Sequence, residues 1–216
     1  GGEALEPLPT PAAVLSDACA RFGPTPPPVT EDAPPQRPAD ADPTGGYFLP
    51  IRAGVLAGEA EAFGAIRLRC DLPGVTRAIF DEYEARYRIN VAPTIEQVVL
   101  RSGDETVVLG ETAATVARGE SWAIEVVVPD ASAERYVVYD PDRGVLREED
   151  ESITVAWYVT DGELDRARET LDVGRGLTFG TRWRAPAEAP EVLGWVVVSD
   201  VRGGFGWSRF ALRVED

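Results

Sequence analysis

The chain has 216 residues, of which 44% are hydrophobic and 27% are charged, so it holds enough apolar material for one large domain or two small ones. Its formal net charge of −16 disfavours binding to nucleic acid or to an anionic membrane surface, because like charges repel. No window of the sequence is an apolar run of the roughly 20 residues that a membrane-spanning helix needs.

The missing residue types exclude several classes of enzyme. The sequence contains no histidine, which excludes Ser-His-Asp triads, Cys-His pairs and histidine metal sites. It also contains no lysine, which excludes Schiff-base chemistry and the P-loop. The 37 acidic residues leave carboxylate chemistry open, but no pair stands out as the two acids of a glycosidase. We therefore predict no enzyme activity, no catalytic residue and no cofactor other than structural calcium.

Residues 1–44 are read as an extended arm, with proline runs at 26–28 and 34–35 that restrict φ and remove amide donors. The chain begins at Gly1 and contains no methionine, so either a leader has been removed or the sequence begins inside a longer gene. A proline-rich, acidic start suits the first alternative, an exported chain. We expect a lipidated cysteine immediately before Gly1 as the only attachment to a membrane. This predicts a cell-envelope, outer-membrane or cell-surface lipoprotein.

Residues 45–92 predict a small hairpin-plus-helix segment. Two short strands, Tyr47 to Val55 and Ala65 to Leu72, flank a loop of small residues. After them, Val75 to Arg88 carries apolar residues at four-residue spacing with acidic residues between, which indicates an amphipathic helix. The apolar positions of this helix are Ile79, Tyr83 and Tyr87.

Residues 93–216 read as strand after strand, with turn signals between the strands. The predicted strands are Ile95 to Leu100, Thr106 to Leu109, Trp122 to Val128, Arg135 to Tyr139, Ile153 to Thr160, Leu177 to Arg184, Val192 to Ser199 and Phe205 to Val214. About eight strands in some 120 residues is the count of an immunoglobulin-like sandwich. The fold class is thus mainly β: an immunoglobulin-like antiparallel β-sandwich preceded by a small α+β segment and the proline-rich arm.

The last two strands predict a β-hairpin around which the sandwich is built. Glycines between Asp200 and Phe205 permit the backbone angles of a tight reversal. Alternation along the strands places three aromatic residues in the core and three on the opposite face. The predicted core residues are Trp122, Trp157 and Phe210, and the residues of the opposite face are Trp195, Phe205 and Trp207.

Three segments carry a resemblance to known proteins. The order WYVTDGEL, TFGTRWRAP and VLGWVVVSDVRGGFGW resembles bacterial immunoglobulin-like domains of the PKD and cadherin-like group, in which a Trp-bearing strand, an Ala-Pro segment and an Asp before a glycine-containing hairpin follow one another. These features lie here at Trp157, Ala185-Pro186, Asp200 and Gly203-Gly204. The segments GGYFLPIRAGV and AFGAIRLRCDLPG are similar to parts of myxobacterial surface proteins. The resemblance implies a fold and a location, and no activity.

Four aspartates at predicted strand ends are candidate calcium ligands, because hard oxygen ligands that converge from several loops suit this ion. They are Asp140, Asp142, Asp161 and Asp200. The alternative is that they cap their own turns. The acidic run Glu148 to Glu151 is interpreted as a solvated loop before the strand at Ile153.

The aromatic residues Trp195, Phe205 and Trp207 are the candidate binding residues, because adjacent exposed rings can dock another protein or stack on sugars. The alternative is that the N-terminal segment covers them. We expect a structural or adhesive protein-binding module with an unidentified protein partner. The other hypotheses are a carbohydrate-binding or carboxylate-dependent glycan-acting module, and an accessory subunit of an envelope assembly.

The two cysteines predict one disulfide, and the alternative is two unpaired thiols in a cytosolic protein. Cys19 lies in the arm and Cys70 follows the second strand, and these are the only cysteines of the chain. In an oxidising compartment a bond between them would close a loop of about 50 residues and contribute roughly 3 to 4 kcal/mol to stability on the chain-entropy estimate. Labelling of the unreduced, denatured protein with a thiol reagent should modify neither cysteine, and two labelled thiols would contradict the prediction.

Overall fold

The structure is a computed structural model, and it describes residues 47–54, 61–68, 72, 75–110, 112–172 and 177–216. These residues contain one α-helix, α1 (Arg77–Arg86), a single 3-10 turn (Asp130–Ser132) and fourteen strands. The strands are β1 (Tyr47–Gly54), β2 (Glu61–Leu68), β3 (Gln97–Ser102), β4 (Glu105–Leu109), β5 (Ala114–Ala117), β6 (Ser121–Val127), β7 (Arg135–Asp140), β8 (Val145–Asp150), β9 (Ser152–Val159), β10 (Glu163–Leu164), β11 (Arg168–Asp172), β12 (Thr178–Arg184), β13 (Glu191–Asp200) and β14 (Phe205–Glu215).

The chain divides into two compact units. The first comprises the described residues up to Tyr87 together with Val137–Arg147, and the second comprises Arg88–Tyr136 and Glu148–Asp216. Residues 88–92, which the sequence analysis assigned to the helical segment, thus belong to the second unit. The arm 1–44, Cys19 and Cys70 lie outside the described residues, so the disulfide stays a prediction.

The first unit contains a β-hairpin and the helix, as the sequence predicts. β1 and β2 pair antiparallel with Tyr47 opposite Leu68, and β2 begins four residues before the predicted start at Ala65. Helix α1 begins after Thr76, whose side-chain oxygen accepts a hydrogen bond from the amide of Ile79 at 3.4 Å, as an N-cap residue should. Tyr83, on the predicted apolar face, is buried.

The hairpin of β7 and β8 forms a two-stranded sheet of its own. Its tip is closed by Asp140, whose carboxylate accepts the amides of Asp142 and Arg143 at 3.1 Å, and by Gly144 at φ 66°. The sequence analysis missed β8 because its residues VLREED are mostly exposed and polar and lack the apolar alternation of a half-buried strand.

The second unit is built from two five-stranded sheets. One sheet has the order β10-β12-β6-β3-β4 and the other has the order β11-β9-β13-β14-β5. All pairs are antiparallel except β14 and β5, which run parallel at one edge. The protein is mainly β, as predicted, and the short strands β5, β10 and β11 escaped prediction because they add only two to five residues each.

The core of this unit lies between the two sheets. Alternate residues of β6, β9, β12, β13 and β14 are buried in one hydrophobic cluster, as the pleat of a strand requires. Trp122, Trp157 and Phe210 are 4%, 1% and 1% exposed, so their predicted place in the core is confirmed. Trp183, which the sequence analysis did not select, is also fully buried.

Two glycines make room for large rings. Gly194 lies opposite Phe210 in the β13–β14 pair, and a Cβ at Gly194 would come within 2.0 Å of the Phe210 ring. Gly162 has φ 88° and a Cβ there would lie 2.4 Å from the indole nitrogen of Trp183. This nitrogen donates a hydrogen bond to the carbonyl of Asp161 at 3.1 Å, so the Trp183 ring packs directly against the Asp161-Gly162 turn.

The difference between core and surface tryptophans gives a stability prediction. Trp157→Ala should lower the free energy of unfolding by roughly 3 to 5 kcal/mol, because it removes a buried ring and leaves a cavity. Trp207→Ala should cost far less, because its side chain is 64% exposed. Urea unfolding of both variants measures the difference, and equal, small losses would mean that Trp157 does not hold the core together.

Candidate functional site

The outer face of the β11-β9-β13-β14-β5 sheet carries the predicted binding residues. Strand register places the outward side chains in four rows across the strands. Across the sheet from β11 towards β14, the rows are Leu193 with Ala211; Tyr158, Trp195 and Arg209; Arg168, Ala156, Val197 and Trp207; and Thr170, Thr154, Ser199 and Phe205. We call the side chains of these four rows the aromatic face.

Large apolar side chains of the aromatic face are open to solvent. Phe205 is 63% exposed, Trp207 64% and Tyr158 56%, and Leu193 at the end of the patch is 40% exposed. Trp195 is partly buried between its neighbours. Large contiguous patches of exposed apolar side chains are uncommon on soluble monomeric proteins, and they are typical of interaction surfaces.

The charges of the aromatic face differ from those of the whole chain. Its four rows contain two arginines, Arg168 and Arg209, and no acidic residue, although the chain has 37 acids and 21 arginines. Both arginines are exposed, and within the described part of the chain neither forms an ion pair. Beyond the rows, Arg213 stands opposite Glu191. The sequence analysis missed Arg168 because it did not predict β11.

The candidate calcium ligands are engaged in their own turns. Asp140 accepts amides at the tip of the β7–β8 hairpin, and Asp161 accepts the amide of Gly162 at 2.6 Å. Asp200 accepts the amides of Arg202 and Gly204, each at 2.8 Å. Among the described residues, no three acidic or cysteine side chains lie together in a group that could hold a metal ion. The observed bonds of Asp140, Asp161 and Asp200 are those of turn-capping aspartates, and the calcium site at these residues and Asp142 stays a prediction.

A buried polar cluster lies beneath the turn that precedes β14. At its centre the side chain of Arg202 is fully buried, with its guanidinium 3.4 Å from the carboxylate of Glu151 and 3.6 Å from that of Glu134. The same guanidinium donates to the carbonyl of Arg88 and lies 4.9 Å from the ring centre of Tyr136, a cation–π distance. We call these residues the Arg202 cluster.

The Arg202 cluster corrects the interpretation of the acidic run Glu148 to Glu151. Its first three residues lie in β8, where Glu149 accepts a hydrogen bond from Tyr136 at 3.2 Å and Asp150 pairs with Arg135 at 2.7 Å. Glu151 is 0% exposed. A signal was available in the sequence, because residue 151 shares the inward alternation of Ile153, Val155 and Trp157. Its partner Arg202 was hidden, because the two lie 51 residues apart.

Burial has an electrostatic consequence for Glu151. Loss of water around its carboxylate, reinforced by the negative charges of Asp200 and Glu134, raises the pKa of Glu151 to about 7. A hydrogen bond from the Glu134 amide and the positive charge of Arg202 act in the opposite direction and lower the pKa. Two negative charges, those of Asp200 and Glu134, and one positive charge, that of Arg202, thus act on Glu151, and together with burial they favour a proton on Glu151 below neutral pH. The side chains of Arg202 and Glu151 are both 0% exposed, as in a buried structural ion pair.

Two of the grooves that described residues line lie at strand ends of the second unit. One of about 450 Å³ is lined by Gly119, the Asp161 to Glu163 turn, Arg184 and residues 185–188, with no aromatic side chain among them. The other, of about 400 Å³, is lined by Pro190, Glu191 and residues 213–215. It adjoins the aromatic face, because Glu191 and Arg213 are the next outward pair beyond Leu193 and Ala211.

Comparison with known proteins adds no relative: no family model matches the chain, and no curated protein matches it. Within the described residues, no helix has the length and apolar character needed to cross a membrane. The candidate site therefore rests on the geometry of the chain itself.

The raised pKa of Glu151 predicts how stability depends on pH. Between about pH 4.5 and pH 7 the folded protein holds a proton on Glu151 that the unfolded chain releases, so this group makes the free energy of unfolding fall as pH rises, by up to about 3 kcal/mol. The stabilising contribution of Glu151 is fully present below pH 4.5, the pKa of this group in the unfolded chain, and it is lost above about pH 7.

Urea unfolding across this pH window measures the effect. Glu151→Gln, which resembles the protonated acid, should flatten the decline, whereas Glu120→Gln at an exposed position should leave it unchanged. The same slope in Glu151→Gln and in the unaltered protein would show that Glu151 is ionised throughout the window.

Proposed function

We propose that this chain is an exported, non-catalytic cell-surface protein that acts as a structural or adhesive module by binding another protein through the aromatic face. The observation that carries the proposal is the exposure of Tyr158, Phe205 and Trp207 on a rigid sheet. Trp and Tyr are among the residue types that contribute most to binding energy at protein interfaces, together with Arg. The face holds all three types.

The strand arrangement supports an immunoglobulin-like sandwich of the PKD and cadherin-like group as the finer fold class. Two sheets, antiparallel except for the β14–β5 pair at one edge, enclose one core, and a tryptophan of an inner strand, Trp157, is buried in it, as in immunoglobulin domains. The Asp200 and Gly203 positions of the resemblance lie in the β13–β14 turn, where Gly203 has φ 90°.

The composition of the aromatic face favours a protein partner over a glycan that is cleaved there. A glycosidase requires two carboxylates about 5 to 9 Å apart beside the bound sugar, and the four rows contain no carboxylate. A subunit role in an envelope assembly would use the same face, since such an assembly buries apolar surface in a partner. Location in the envelope, the lipid anchor and the disulfide are part of the proposal and rest on the sequence.

Site-specific photo-crosslinking in cells that produce the protein tests the proposal. A photoreactive phenylalanine analogue replaces Tyr158 on the aromatic face, or Arg182, which is exposed on the other sheet. We expect a discrete protein adduct from position 158 and none from position 182, because only the first position lies in the binding surface. Combining the analogue at 158 with Phe205→Ser and Trp207→Ser should abolish the adduct while thermal unfolding stays nearly unchanged.

Other outcomes contradict the proposal in distinguishable ways. An adduct that a glycosidase removes would identify a glycan ligand instead of a protein. Early unfolding of the double serine variant would place the two rings in the fold of the chain itself. Equal adducts from positions 158 and 182 would mean that the contacts are not specific to the aromatic face.

A further inference from the structure

The aromatic face is a positively charged patch on an acidic protein. Arg168 stands opposite Ala156 on the edge strand β11, and Arg209 stands opposite Trp195 on β14, two residues after Trp207, so the two arginines lie three strands apart on the aromatic face. Acidic residues of the same sheet face lie outside the four rows: Asp172 stands opposite Ser152, next to the row of Thr170 and Phe205, and Glu191 and Glu215 lie at the far end of the β13–β14 pair. With a net charge of −16, the rest of the chain has the opposite sign.

Neither arginine forms an ion pair with another described residue. Among the described residues, the ion pairs of the second unit engage Arg101, Arg118, Arg135, Arg166 and Arg202, and Arg168 and Arg209 are not in this group. An exposed guanidinium beside an indole or phenol ring presents a fork of donors that suits a carboxylate. The face therefore combines an apolar centre with two cationic flanks.

We propose that the partner of the aromatic face is a protein whose contact surface has an apolar centre flanked by Asp or Glu side chains. This rests on the proposed function, and it specifies the partner's chemistry. The rings of Trp207 and Phe205 bury apolar surface, and Arg168 and Arg209 each pair with a carboxylate at the margin of the contact. Complementary charge of this kind selects the partner and speeds association.

Two other occupants fit the charges less well. A second copy of the chain, packed face to face, would bring Arg168 and Arg209 towards the same residues of its mate, and like charges oppose such a contact. A long polyanion such as nucleic acid would extend past the patch onto Glu191, Glu215 and the acidic remainder of the chain, where it is repelled. A compact acidic protein meets only the cationic patch.

Selection from an unbiased display library of random peptides tests the proposal on the full chain. Peptides are retained if they bind the unaltered protein and fail to bind the Phe205→Ser, Trp207→Ser variant. We expect them to be enriched in Asp and Glu next to apolar residues. Replacing Arg168 and Arg209 together by Gln should weaken their binding about tenfold, as expected for two solvent-exposed ion pairs, and added salt should weaken it as well.

The matched control replaces Arg182 and Arg184 by Gln, which makes the same charge change on exposed positions of the other sheet, and it should leave binding unchanged. Retained peptides that are neutral or basic, or that bind the Arg168, Arg209 variant as tightly, would overturn the acidic partner and leave the proposed function standing. Failure to retain any peptide that depends on Phe205 and Trp207 would overturn both. Tighter face-dependent binding of an oligothymidylate, or a dimer in sedimentation that dissociates in the double serine variant, would identify the other occupants.

Discussion

The side chain of Arg202 is fully buried, and a buried cation is stable only where opposite charges and hydrogen bonds replace the water it has lost. Glu151 and Glu134 supply the charges, and the carbonyl of Arg88 supplies a further acceptor. Arg88 comes from the segment after α1, Glu134 from the residue before β7, and Glu151 from the residue between β8 and β9. One residue of the β13–β14 turn thus ties together chain segments that are far apart in sequence.

The same turn determines where the aromatic face begins. Asp200 accepts the amides of Arg202 and Gly204, and its second oxygen accepts the side-chain amide of Asn90 at 3.0 Å. β14 starts directly after this turn with Phe205. The polar cluster on one side and the ring of Phe210 on the inner face of the sheet therefore hold the strand in place. Trp207 and Phe205 remain largely exposed, which is why we propose that they bind a partner.

Local patterns in the sequence were sufficient to predict the core and the helix, because one side of each of these elements is apolar. Alternation around Trp157 and Phe210 predicted the core, and four-residue spacing predicted α1 with Tyr83 buried. Prediction failed where the deciding partner is distant: Glu151 was read as solvated because nothing near it in sequence reveals Arg202. It failed also for Arg168, since β11 becomes a strand only by pairing with β9 and has no strong pattern of its own.

Binding through the aromatic face requires that its rings are exposed to solvent in the intact chain, and the fluorescence of Trp207 measures this exposure directly. The difference between the emission of the unaltered protein and that of Trp207→Phe isolates one indole among five. We predict that this difference spectrum is red-shifted like that of an indole in water, and that acrylamide quenches it almost as strongly as a free tryptophan analogue. A blue-shifted difference spectrum that acrylamide does not quench would show that another part of the chain covers the face, and would contradict the account.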